Sequence, residues 1–188
     1  MASIAVVIAL LARLPLLLTT LSPDNFYFRN LPILIFAGLT TWFIIKNGIT
    51  GWKQILLLAL PTMALAIFVN LLPEKLTDAT TLALIHAPLF MVFIFALAFV
   101  SLDLRNTGKV SGFIRYCGEL VIMTGLLAIA GAILSGMTIL LFGIIGMEIE
   151  EIYMENIGIT GLVVLPLIAA WLIDCVVVII IFPVIFSG

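Results

Sequence analysis

Charged residues are scarce in this chain, and their scarcity excludes most soluble proteins. Only 10% of the 188 residues are charged, whereas 64% are hydrophobic. Soluble domains average about 25% charged residues, and one of this length cannot bury so much apolar surface. The formal net charge of −2 provides no basic surface for a polyanion, so no binding to nucleic acid is expected.

Histidine and cysteine are nearly absent, which limits the chemistry that the chain can perform. A single histidine, His86, cannot build a histidine-rich metal centre, and Cys117 and Cys175 have no paired or metal-ligand spacing. The sequence also lacks zinc-protease, nucleophile-elbow, phosphate-loop and dinucleotide motifs. We therefore expect no enzymatic activity, no bound metal and no cofactor.

Long apolar runs are abundant, and their length indicates membrane-spanning helices. A helix crosses the hydrocarbon core of a bilayer with roughly 20 apolar residues, and barrel strands would instead alternate apolar and polar residues. We predict an all-α polytopic membrane protein, a bundle of about six transmembrane helices forming one domain over residues 1–188. The predicted spans are 3–21, 27–45, 52–72, 82–102, 116–145 and 157–184.

The distribution of lysine and arginine predicts the orientation of these spans. With six spans, both termini and the connections 46–51 and 103–115 share one side of the membrane. Because positively charged connections stay in the cytoplasm, both termini are predicted to be cytoplasmic. The basic residues on that side are Lys46, Lys53, Arg105, Lys109 and Arg115, against Arg29 and Lys75 on the other.

Ionisable residues inside the predicted spans are candidates for function, since each costs about 2.5–3.5 kcal/mol on insertion scales. They are Arg13, His86, Glu119 and Asp174. We expect Arg13 to pair with Glu119 or Asp174, the two acids within the spans. Glu119 could also reach headgroups or Arg115, one turn back, whereas Asp174 has no partner among its sequence neighbours. For His86, a satisfied interfacial position is favoured over a ligand role.

The predicted fifth span is unusually long and carries small residues at helical spacing. About 30 residues make roughly 45 Å of straight helix, so the span must tilt, kink or extend beyond the lipid. In lipid, small residues permit the close backbone approach on which helix association depends. A packing seam inside the bundle is the preferred interpretation, and a hinge or an oligomer contact is the alternative. This small-residue stripe consists of Gly125, Ala128, Ala132, Ser135, Gly136 and Gly143.

The connection GMEIEEIYMEN, residues 146–156, holds four carboxylates and no basic residue. On the outer face no topology rule disfavours acids, so a solvated connection is the simplest interpretation. If the fifth helix continued through it, Glu148, Glu151 and Glu155 would share an arc of about 60°. Such a cluster attracts cations, but the stretch lacks the turn chemistry of a dedicated calcium loop. We predict weak cation attraction and no tight metal site.

Several short motifs resemble a known family. The most specific are Arg115, Gly118-Glu119 and Ile149-Glu150-Glu151 followed by Tyr153, within residues 113–174, with a weaker match at 84–90. On these residues the chain resembles a family of bacterial multi-pass membrane proteins, the domain of unknown function numbered 4153. The resemblance covers less than half of the chain and implies a bacterial inner-membrane protein without an established activity. Because family members are longer, it also implies a short member or a fragment.

Two functions fit these observations. The first is a non-catalytic scaffold, assembly or sensor component, which would use the small-residue stripe to contact a second copy or another membrane protein. The second is a transporter or channel for a cation or small solute, which would use the intramembrane acids. The first is favoured because it needs only packing features that the sequence contains.

Overall fold

The structure, a computed structural model, describes residues 2–12, 23–73, 77–147, 149–153 and 158–186. Its regular elements in these ranges are all helices, which confirms the predicted all-α class. They are α1 (Ala2–Ala12), α2 (Pro23–Lys46), α3 (Trp52–Leu71), α4 (Asp78–Phe99), α5 (Thr107–Ile144), α6 (Glu150–Tyr153) and α7 (Ile159–Phe186). Contacts divide the chain into an N-terminal unit, residues 2–115, and a C-terminal unit, residues 116–188.

Three helices in the described ranges, α3, α4 and α5, are long and apolar enough to cross a membrane. They differ in how much of the membrane-length window is buried inside the protein: 11% in α3, 28% in α4 and none in α5. Water cannot solvate apolar helices exposed to this degree, whereas lipid can. The chain is therefore a membrane protein, and α5 is the most open of these three helices.

The core of the N-terminal unit forms where α2 packs against α1, α3 and α4. Ile33 of α2, Val69 of α3, and Ala87 and Met91 of α4 make one buried cluster. Such tightly packed apolar contacts contribute dispersion energy in lipid, where burial itself gives no hydrophobic gain. These contacts fix three helices relative to one another.

An aromatic cluster extends this core into the first turns of α5. The Phe113 ring lies 5.5 Å from both Phe95 and Phe99, measured between ring centroids. Asn106 caps the helix, since its side-chain oxygen accepts a hydrogen bond from the Lys109 amide at 3.2 Å. Helix α5 therefore begins at Thr107, earlier than the predicted start at residue 116, because a cap and a packed aromatic residue lie in the apparently polar connection.

The other end of α5 is set by a glycine in the left-handed conformation. Gly146 has φ of +79°, and the Met147 amide donates to the Phe142 carbonyl at 3.0 Å. Together with the bond from the Gly146 amide to the Gly143 carbonyl, at 3.1 Å, this is the Schellman arrangement that ends many helices. Helix α5 therefore stops at Ile144 and does not continue through residues 146–156.

Candidate functional site

The structure describes three of the four predicted intramembrane residues: His86, Glu119 and Asp174. Arg13 lies outside the described residues, so its expected ion pair stays a prediction. His86 lies exposed on α4, where its Nδ1 is 2.7 Å from the Leu82 carbonyl oxygen, one turn earlier in the same helix. That bond satisfies one imidazole nitrogen within the helix that carries it.

Glu119 and Asp174, the two predicted intramembrane acids, both lie within electrostatic range of Tyr116. Tyr116 and Glu119 stand three positions apart on α5, whereas Asp174 comes from α7. The Tyr116 side chain is buried and both acids are half-buried. The C-terminal unit thus contains two half-buried carboxyl groups within electrostatic range of a buried phenol, and ionisable groups within a membrane are candidates for function.

These groups form no recognisable metal centre. Among the described residues, no group of three or more His, Cys, Asp or Glu side chains is arranged to hold a metal ion. Hard cations such as Ca²⁺ require six to eight oxygen ligands, more than two carboxylates and a phenol supply.

The small-residue stripe runs along a partly covered face of α5. Four of its six residues are half-buried, and Ala132 and Gly143 are exposed. A Cβ atom built at Gly125, Gly136 or Gly143 would meet no described atom of the C-terminal unit within 4 Å. Successive residues of a helix turn by about 100°, which places these three glycines within about 20° of one direction. One polar contact reaches the stripe, since the Ser135 hydroxyl lies 3.4 Å from the Tyr153 hydroxyl.

The opposite face of α5 is buried near the start of the C-terminal unit. Tyr116 and Leu120 are both buried. Tyr116 lies nine positions before Gly125 and so points about 180° away from it. Helix α5 is therefore buried on one face at the start of the C-terminal unit, whereas its small-residue face is half-buried or exposed.

The acidic connection provides little that can be described as a site. Glu148 and Glu155 lie outside the described residues, as does the side chain of Glu151, although its backbone belongs to α6. The shared arc of these three residues depended on a continuous helix, and that premise is wrong because Gly146 ends α5. Weak cation attraction by this connection stays a prediction.

A buried polar cluster that sequence reasoning missed lies at the start of α2. The Arg29 guanidinium donates to the carbonyls of Val69 at 3.2 Å, Leu72 at 2.7 Å and Pro73 at 2.6 Å. These carbonyls belong to the end of α3, where the helix dipole favours a cation. The sequence assigns Arg29 only to the outer side of the membrane; the structure shows that it is buried, at 8% exposed.

The neighbouring residue extends the same cluster. Asn30 and Asn70 exchange amide hydrogen bonds of 2.9 and 2.8 Å, which join α2 to α3. Each amide also donates to a carbonyl four residues back in its own helix, that of Phe26 or Ala66. The cluster is satisfied internally, so it fixes two helices rather than offering groups to a ligand.

At the other end of the N-terminal unit, Asn47 joins two connections. Its side-chain amide donates to the carbonyls of Ala98 at 2.9 Å and Phe99 at 3.0 Å, at the end of α4. The α2–α3 connection and the α4–α5 connection therefore lie at the same end of the unit. We call this the basic end; its exposed basic residues are Lys46, Lys53, Arg105 and Lys109.

No family model, no curated protein and no solved structure matches the chain.

Proposed function

We propose that the chain is a multi-pass protein of a bacterial inner membrane, with six spans and both termini in the cytoplasm. The basic end of the N-terminal unit supports this orientation, since Asn47 holds together the two connections that carry most of the basic residues. At the opposite end, the basic side chain of Arg29 is buried against helix carbonyls. A buried guanidinium adds little to the charge of a connection, which strengthens the asymmetry.

Within this membrane, the chain acts as a non-catalytic scaffold, assembly or sensor component. The observation that carries the proposal is the exposure of α5: none of its membrane-length window is buried inside the protein, and the face that bears the stripe is half-buried or exposed. Small residues on that face lower the steric barrier to a partner helix, and close backbone contact supplies the attraction that lipid does not. The partner is a second copy of the chain or another membrane protein.

Site-specific photo-crosslinking in the natural membrane tests this assignment. Ile129 lies about 40° from Gly125 on the stripe side, and Leu134 lies about 180° from it. Their side chains are equally accessible, at 62% and 66% exposed. A photo-reactive residue at position 129 should form a discrete protein adduct, whereas the same residue at position 134 should react mainly with lipid.

A second variant ties the adduct to the stripe itself. Gly136→Leu places a bulky side chain where close helix approach requires a small one, so it should reduce the adduct from position 129 several-fold. Equal protein adducts from positions 129 and 134, or an adduct that Gly136→Leu leaves unchanged, would contradict a role for the stripe.

A transporter or channel for a cation or small solute is the second candidate. It is favoured by the gathering of Glu119 and Asp174 around Tyr116 in the C-terminal unit. Protein reconstituted in liposomes should then show proton- or cation-dependent uptake that Asp174→Asn abolishes. Glu150→Gln, at an exposed acid of α6, is the matched control and should leave uptake unchanged. Absence of uptake by the unaltered chain would eliminate this candidate.

A further inference from the structure

One face of α3 in the N-terminal unit bounds a shallow, wide-open depression of about 410 Å³, which we call the groove. The described residues that line it are spaced three or four positions apart, as one helix face requires. Apolar side chains make nearly all of its surface, and a single lysine stands at its first turn. The lining residues are Lys53, Leu56, Leu57, Leu60 and Pro61.

The groove is nearly as long as the hydrocarbon layer of one lipid leaflet is thick. From Lys53 to Pro61, α3 rises by about 12 Å, at about 1.5 Å per residue. Half of the hydrocarbon core of a bilayer is about 15 Å thick. An acyl chain that lies along Leu56, Leu57 and Leu60 would therefore reach from the headgroup level towards the middle of the membrane.

The mouth of the groove has the character of a membrane interface. Trp52, next to Lys53, is 69% exposed, and tryptophan is enriched where apolar lipid meets water. The Lys53 ammonium lies 5.7 Å from the centroid of the Trp52 ring. This cation–π contact holds the charge beside the groove, while the lysine stem lies along its apolar wall.

The charge at the mouth is not neutralised by the described protein. Among the described residues, no carboxylate lies within 4 Å of the Lys53 ammonium, whereas Lys109 has Asp103 at 3.8 Å. The first turn of α3 contains no acidic residue, and Gly51 provides no side-chain cap. The positive end of the helix dipole therefore adds to the lysine charge and favours an anion.

We infer that this groove binds an anionic phospholipid, with its phosphate at Lys53 and one acyl chain along Leu56, Leu57, Leu60 and Pro61. The apolar wall accepts the chain, and the uncompensated ammonium distinguishes an anionic headgroup from a zwitterionic one. The assignment does not depend on the proposed function, because the groove and the small-residue stripe lie on different helices and in different units.

Native mass spectrometry of the full chain, purified in detergent, tests the headgroup contact. The protein should retain dioleoyl phosphatidylglycerol in preference to dioleoyl phosphatidylcholine. Lys53→Gln should weaken retention of the anionic lipid about fivefold, which corresponds to about 1 kcal/mol for one basic residue near anionic lipid. Arg105→Gln removes an equal charge from the same basic end without touching the groove, and it should leave retention unchanged.

A third variant tests the acyl-chain contact. Leu60→Trp fills the groove at a side chain that is 61% exposed, so folding should be preserved; equal melting temperatures in phosphatidylcholine nanodiscs would verify this. It should lower retention of phosphatidylglycerol, and free glycerol phosphate should not displace the lipid. Equal losses in the Lys53 and Arg105 variants, no preference for the anionic lipid, or normal retention by Leu60→Trp would each overturn the inference.

Discussion

The side chain of Arg29 shows how single polar residues fix helices inside this protein. Its guanidinium donates to three carbonyls at the end of α3, and the Asn30–Asn70 pair joins the same two helices beside it. Hydrogen bonds from a charged donor contribute about 1.5–3 kcal/mol each. In a region where apolar burial gives little net gain, such bonds account for a large share of the specificity of helix packing.

We expect Arg29→Met to destabilise the N-terminal unit by about 2–4 kcal/mol, because buried carbonyls would lose their donor and the end of α3 its cation. Thermal unfolding in detergent measures the change. Arg29→Lys keeps the charge but not the planar fork of donors, so an intermediate loss is expected. Arg105→Gln, at an exposed residue, should have little effect. An Arg29→Met protein as stable as the unaltered chain would contradict the proposed anchoring role.

Arg29 also shows which residue-scale features the sequence could not reveal. The carbonyls that it contacts belong to residues 40 to 44 positions away, and no local pattern encodes that proximity. The same holds for Asp174, whose neighbours in sequence offer no partner although Tyr116 lies within electrostatic range. By contrast, the bond between His86 and the Leu82 carbonyl lies within one helical turn, a separation that the sequence can reveal, and the interfacial position of His86 stays a prediction.

At the scale of elements, helix ends in this protein are set by local signals. Asn106 caps the start of α5, and glycines with positive φ follow the ends of α2 and α5, Gly48 at +63° and Gly146 at +79°. The apolar runs predicted that helices lie here, because a long apolar segment in a membrane has few other conformations. The predicted start of α5 was too late because residues 107–112 contain two glycines and three polar residues, whereas the structure has them in the helix, followed by Phe113 packed against α4.

Gly146→Ala should destabilise the end of α5 by about 1 kcal/mol, since a residue with a Cβ is disfavoured at positive φ. Equilibrium unfolding in mixed micelles measures this difference. Gly131→Ala is the matched control: it lies within the same helix, and its Cβ would meet nothing within 4 Å. The control should be neutral or slightly stabilising, because alanine favours helix more than glycine does. A harmless Gly146→Ala would show that the left-handed turn is not required.

The whole molecule is an all-helical membrane protein whose charged groups and open surfaces are unevenly distributed. Its basic end holds Lys46, Lys53, Arg105 and Lys109, and Asn47 ties together the connections that carry them. Composition and run length predicted the membrane class, since both reflect the solvent of the whole fold. The partner of the small-residue stripe could not be predicted, because a stripe that permits close approach does not specify what approaches.

The orientation of the chain is the central claim, because it decides which leaflet meets the basic end and which side the acids around Tyr116 can reach. Topology reporters fused after Asn106 and after Gly188 test it most directly in living bacterial cells. The account predicts the same cytoplasmic signal from both fusions, since both positions share a side in the six-span arrangement. Opposite signals, or a periplasmic signal from either fusion, would contradict the six-span orientation.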